Sequence, residues 1–92
     1  MLADRIANAL KSRSPQTITG DGFKPAAVLI PIQEGEDGDY LVLTKRADHL
    51  NHHSGQIAFP GGRVDDSDAD ELDAALRESH EEIGIHRRDV RI

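Results

Sequence analysis

Three glutamates, Glu78, Glu81 and Glu82, follow Arg77 in the run Arg77-Glu78-Ser79-His80-Glu81-Glu82-Ile83-Gly84-Ile85, and the pair Gly61-Gly62 precedes it. Each residue of a helix turns by about 100°, so positions 78, 81 and 82 fall within an arc of roughly 100°. Three carboxylates on one face repel one another, and a cation would relieve that repulsion. Hard oxygen donors select Mg²⁺ or Mn²⁺. Such an ion bridges carboxylate and phosphate, so an acidic surface of this kind can hold a polyanion. Taken alone, Glu-x-x-Glu-Glu also describes an ordinary solvated helix face.

The elements that must carry these residues are legible in outline. A helix is predicted from Ser67 or Asp68 to Ile83, with Ser67 and Asp70 spaced as a capping box and Gly84 as the stop. Ala69, Leu72, Ala75, Leu76, Ser79 and Ile83 form its apolar stripe, centred roughly 130° from the glutamates, so the core face and the metal face are expected to differ. Upstream, Leu2, Ala3, Ile6, Ala7 and Leu10 recur at helical spacing, which predicts a short packing helix ending near Ser12 or Arg13, and residues 14–25 read as a loop. Ala26–Ile32 and Tyr40–Lys45 read as antiparallel strands around the turn residues 35–39, with Pro31 at a strand end or edge. Gly55–Phe59 reads as a short strand leading to Pro60-Gly61-Gly62, where the glycines allow unusual backbone angles and close approach of a metal or phosphate.

Composition narrows the partners. At 92 residues the chain suits one domain with a modest core. Its net charge is −6, with acidic residues crowded between Asp65 and Glu82 and aromatic residues only at 23, 40 and 59. Neither a duplex nor a single-stranded nucleic acid partner is expected from that balance. The absence of cysteine excludes disulfides and thiolate ligands, and no apolar run reaches the length of a membrane span. A cytoplasmic location and no membrane contact are the corresponding expectations, and a homodimer is compatible with them. His49, His52 and His53 invite zinc, but no cysteine or fixed helical pairing accompanies them. Residues 66–70 imitate the opening of a calcium loop, yet Glu71 stands where glycine is required and Arg77 where glutamate is required.

From Gly62 to Ile85 the chain resembles the signature of the Nudix hydrolases: glycine, spacer, glutamate, spacer, then Arg-Glu-apolar-x-Glu-Glu-x-Gly-apolar. Ser79 departs from it, standing where the family prefers an apolar residue. The resemblance implies an α/β fold, an αβα sandwich with a mixed sheet, of which this chain carries the N-terminal portion, truncated after the signature helix. Residues 1–25 would be an N-terminal helix and loop, and 26–92 a partial core. It implies Glu78 and Glu82 as metal ligands, Glu81 as third ligand or water-orienting base, and Arg77 as the residue that orients them. A main-chain carbonyl of Gly61 or Gly62 would complete the metal shell.

A second stretch, Val42-Leu43-Thr44-Lys45-Arg46-Ala47, then Gly55 and Phe59-Pro60-Gly61-Gly62, resembles the motif preceding that signature in coenzyme A pyrophosphatases. It implies Arg46, Gly55, Phe59, Gly61 and Gly62 as substrate-binding residues. The implied substrate is coenzyme A or a related nucleotide conjugate, cut to 3′,5′-ADP and 4′-phosphopantetheine. Asn51 stands where that subgroup generally has arginine, with His52 or His53 as possible substitutes. The spacer between Gly62 and Arg77 is one residue longer than usual, and Asp68, Ala69 and Asp70 occupy the neighbourhood of the intermediate glutamate. A noncatalytic Nudix-like module that binds nucleotide and metal is the alternative reading.

Overall fold

The computed structural model describes residues 2–18, 20, 22–45 and 55–92. Within them the order is α1 (Leu2–Lys11), β1 (Ala26–Val28), β2 (Ile32–Gly35), β3 (Gly38–Leu41), β4 (Thr44–Lys45), β5 (Ile57–Ala58), β6 (Gly61–Arg63), α2 (Glu71–Ile83) and a 3₁₀ turn (Arg87–Asp89). The architecture is α/β. Every strand pairing among the described residues is antiparallel, β1 with β6, β2 with β3 and β4 with β5.

Pro31 explains why the run Ala26–Ile32 yields two short strands. It has no amide proton to donate, although its carbonyl still accepts from Val42 N at 3.1 Å. The chain therefore leaves β1 after Val28 and begins the tight β2–β3 hairpin at Ile32, with Gly35 opposite Gly38. Across that turn Tyr40 Oη donates to Asp37 at 2.8 Å.

The first helix forms where its spacing predicts, ending at Lys11, but the expected packing does not follow. No residue of α1 is buried, and Ile6 and Leu10 are both exposed. Among the described residues, a 3.5 Å ion pair from Arg91 to Asp4 ties it to the far end of the chain.

Burial concentrates where α2 lies across β1 and β6. Ala74, Ala75, Ser79 and Pro60 are the buried residues, with Ala74 and Ser79 fully enclosed. The radius of gyration is 14.9 Å, against ~12 Å for a compact chain of this length. The core is thus a local one beneath α2.

That core corrects the predicted stripe. Ala74 is buried, whereas Leu72 is 44% exposed and Ala69 is also exposed. The helix packs on both β6 and β1, and at Gly62 the missing side chain leaves room for Glu78. Ser79, polar at a position where the resemblance prefers an apolar side chain, is accommodated by donating its hydroxyl to Ala75 O at 2.6 Å. A buried hydroxyl satisfied in this way avoids most of its desolvation cost.

The helix also begins later than predicted. Asp70, not Ser67, is the N-cap, and its side chain accepts from Asp73 N at 2.8 Å. Asp73 reaches back to Ala69 N at 2.9 Å, a reciprocal arrangement close to a capping box. The C-terminus matches expectation: Gly84 takes the left-handed conformation and donates to His80 O at 2.9 Å. Asp70→Ala is expected to destabilise the protein by about 1 kcal/mol, the usual worth of an N-cap, read from the midpoint of a urea unfolding curve.

Candidate active site

β1 and β6 pair with Ala27 opposite Gly62 and Val28 opposite Gly61. Further bonds from Leu29 N to Pro60 O, 2.8 Å, and Val64 N to Pro25 O, 3.0 Å, extend the ladder at both ends. This fixed ribbon is the platform for α2. Neither Gly61 nor Gly62 takes a positive φ, so the unusual backbone angles expected at this pair are not used within β6, and the need for glycine is closeness alone. A Cβ on Gly61 would lie 2.6 Å from Val28 Cα, and one on Gly62 would lie 2.7 Å from Glu78 Cδ. The Glu78 carboxylate therefore rests directly on the main chain of Gly62.

Glu78 is only 21% exposed along its side chain, so of the three glutamates it departs from the expected separation of core face and carboxylate face. It follows Ala74 and Ala75 by four and three residues, so it continues the packed side of α2. Glu81 is 55% exposed, and Glu82 is exposed on the final turn.

Arg77 gathers the acidic groups. Its Nη1 donates to Glu78 Oε1 at 3.1 Å and to Glu81 Oε2 at 3.2 Å. Its Nε and Nη2 grip the two oxygens of Asp68 at 2.9 and 3.0 Å, and Nη2 also reaches Arg63 O at 3.2 Å. Asp65 stands 3.4 Å away. The planar fork of a guanidinium suits this bidentate grip, which a lysine could not reproduce. The hydrogen bond to Asp68 is the largest of the influences that hold the Arg77 proton even more tightly than in free arginine.

Asp68 is the residue that sequence reasoning left without a role. Its side chain is 2% exposed, and besides Arg77 it accepts Asp65 N at 2.7 Å. The Arg77 hydrogen bonds, then the Asp65 amide, pull its pKa below the ordinary carboxylate value. Its place in the spacer, among the three residues near the intermediate acidic position, was the available signal. What spacing could not supply was which of the two aspartates there turns inward, and the structure divides the tasks: Asp68 braces the arginine and Asp70 caps the helix.

The structure thus unites Arg77, Glu78 and Glu81 around one guanidinium and sets Gly62 against Glu78. Gly61 lies beside them on β6. Gly55 and Phe59 flank β5, which pairs with β4 through Thr44 opposite Ala58 and Lys45 opposite Ile57. Arg46, Asn51 and the histidines at 49, 52 and 53 lie outside the described residues. Among the described residues no three His, Cys, Asp or Glu side chains are arranged as a metal cluster, since Glu78 and Glu81 turn toward Arg77. Their chemistry nevertheless fits a hard cation: the donors are all carboxylate oxygens, one of them seated on open main chain.

The family model described as NUDIX domain matches residues 23–92. NudL, a Nudix hydrolase of Enterobacter sp. (strain 638), is 56% identical over 62 residues, covering 67% of this chain and 32% of its own length. The NudL of Escherichia coli (strain K12) is 56% identical over 63 residues, with the same coverage. Nudix hydrolase 15, mitochondrial, of Arabidopsis thaliana is 46% identical over 78 residues, covering 82% of this chain and 27% of its own. The chain therefore spans about a third of the length of these curated relatives.

Proposed function

Because this chain belongs to the Nudix family, we propose that it forms the metal-binding portion of a hydrolase that cleaves a diphosphate linkage, with coenzyme A or a related nucleotide conjugate as substrate. The observation that carries the reading is the seating of Glu78 on Gly62 with Arg77 joining Glu78 and Glu81. The coenzyme A part rests on the stretch from Val42 to Gly62 described above. A cytoplasmic site of action belongs to the same proposal.

Glu78, Glu81 and Glu82 would hold Mg²⁺ or Mn²⁺. When bound, that ion neutralises phosphate charge and lowers the pKa of a coordinated water. Glu78, half-buried against Gly62, is the most firmly positioned of the three. Glu81, held only by a long arginine contact and exposed, has the freedom to orient a water. Arg77 fixes the spacing between them and is itself fixed by Asp68. Diphosphate cleavage depends chiefly on such positioning and electrostatics, so no covalent nucleophile is required.

The test is incubation with coenzyme A and Mg²⁺, followed by chromatography for 3′,5′-ADP, in parallel with Glu82→Gln. Product from the unmodified protein and its loss in the variant are expected. Metal-dependent binding of coenzyme A without product would replace this reading with that of a noncatalytic module.

A further inference from the structure

Beyond the glutamates, the last turns of α2 and the 3₁₀ turn enclose an open cleft of about 400 Å³ lined by Arg77, His80, Glu81, His86, Arg87 and Arg88. Three arginines and two imidazoles face a single carboxylate there. Arg77 and Arg87 are offset by their carboxylate partners, which leaves Arg88 as the cation of the lining without an ion pair among the described residues.

The commitments of these side chains differ. Arg77 is engaged as described, and Arg87 pairs with Asp73 while also donating to Asp73 O at 3.3 Å. His80 Nδ1 lies 3.3 Å from Ile85 O, which directs the remaining ring nitrogen away from that carbonyl. The side chains of His86 and Arg88 make no hydrogen bond or ion pair among the described residues. The rings of His80 and His86 lie 4.8 Å apart at 51°, forming one wall. The cleft therefore offers the donors of His86 and Arg88, which are not already used, beside two arginines held by carboxylates. Its volume lies in the range of small-ligand sites and exceeds the needs of a bare inorganic ion.

We propose that this cleft is a subsite for a phosphomonoester group carried on a small organic moiety, with Arg88 and His86 as its principal donors. Arginine recognises phosphate oxygens through paired N–H groups, and a ring nitrogen adds a further donor. Because Arg77 and Glu81 border both the cleft and the candidate metal site, the two are contiguous. On the hydrolase reading, the substrate would be a diphosphate that bears an additional phosphate away from the bond being cut. Binding at the cleft does not itself depend on that reading.

The test is titration of the 92-residue protein with 5′-AMP in metal-free buffer, followed by NMR of the arginine Nε–H and histidine ring signals. Saturable shifts at Arg88 and His86 are expected, with affinity about tenfold weaker in Arg88→Gln, the scale of one charge-assisted hydrogen bond. Lys11→Gln, which removes one positive charge from α1, should leave the affinity unchanged. Shifts no larger than those from sodium chloride at equal ionic strength, or equal losses in both variants, would overturn the subsite. Adenosine should fail to saturate these signals, and its binding as tightly as 5′-AMP would overturn phosphate recognition. Saturable 5′-AMP binding without hydrolysis of coenzyme A would uphold the subsite and remove the hydrolase reading, and hydrolysis without cleft binding would do the reverse.

Discussion

On the proposed hydrolase function, Gly62→Ala is expected to lower metal-dependent turnover by about 100-fold, the scale of an ångström-sized misplacement at a reacting centre, while leaving most of the fold intact. The added methyl would meet Glu78 Cδ at 2.7 Å and both carboxylate oxygens within 3.0 Å, so the end of a side chain must move. Gly61→Ala presents the opposite case. Its methyl would meet the main chain of Ala27 and Val28, which the β1–β6 ladder holds in place. A loss of about 1 to 3 kcal/mol of stability is expected from such overpacking. Urea unfolding, Mn²⁺ binding by water-proton relaxation and turnover of coenzyme A should be measured on both variants. Gly62→Ala with unchanged Mn²⁺ affinity and turnover would show that the seat of Glu78 is immaterial.

Arg77→Met is expected to produce the second large effect, because it leaves Asp68 nearly enclosed without its cation and releases Glu78 and Glu81 together. Breaking such a pair on one side strands the other charge. Turnover should fall by about 10- to 100-fold, as when a residue that orients metal ligands is removed. Arg77→Lys should recover little, since an ammonium cannot bind both Asp68 oxygens while reaching the glutamates. The stability difference from the unmodified protein should depend on pH with a definite sign. The folded pKa of Asp68 lies below its unfolded value, so its contribution is fully present above about pH 4 and is lost as pH falls below that value. The gap between the two thermal unfolding midpoints should be widest near neutrality and should narrow in acid. Asp73 is lowered too, first by the Ala69 amide and then by Arg87, so some acid sensitivity should persist in the variant. A gap that stays constant from pH 7 to pH 3 would remove Asp68 from this account.

The signature helix was readable because its period, N-terminal acidity and stopping glycine all agree, whereas its rotation was not. Hydropathy ranks Leu72 above Ala74 as a core residue, yet Ala74 is buried and Leu72 exposed where α2 lies across β1 and β6. A one-dimensional pattern cannot show what stands opposite. The start of the helix was displaced for a related reason, since Ser67 and Asp70 each have an acidic residue three positions on, and spacing does not show that Asp70 takes the cap while Asp68 turns to Arg77. Strand positions were largely foreseen, but Pro31 divided one run into two. For α1 the pattern gave the helix correctly and its burial incorrectly, because amphipathic spacing marks a face and does not supply the surface that covers it.

The burial of Ala74 and Ala75 where α2 lies across the glycine-bearing strand β6 has a thermodynamic consequence. Glycine and alanine have no side-chain rotamers to freeze, so seating the helix here costs almost nothing in side-chain entropy. A chain that buries few large groups can therefore still hold Glu78 at a defined height above the sheet. Order at the reactive end is secured by what little there is to immobilise, and leucine-for-alanine exchanges meant to enlarge the core would loosen the very geometry they were intended to strengthen.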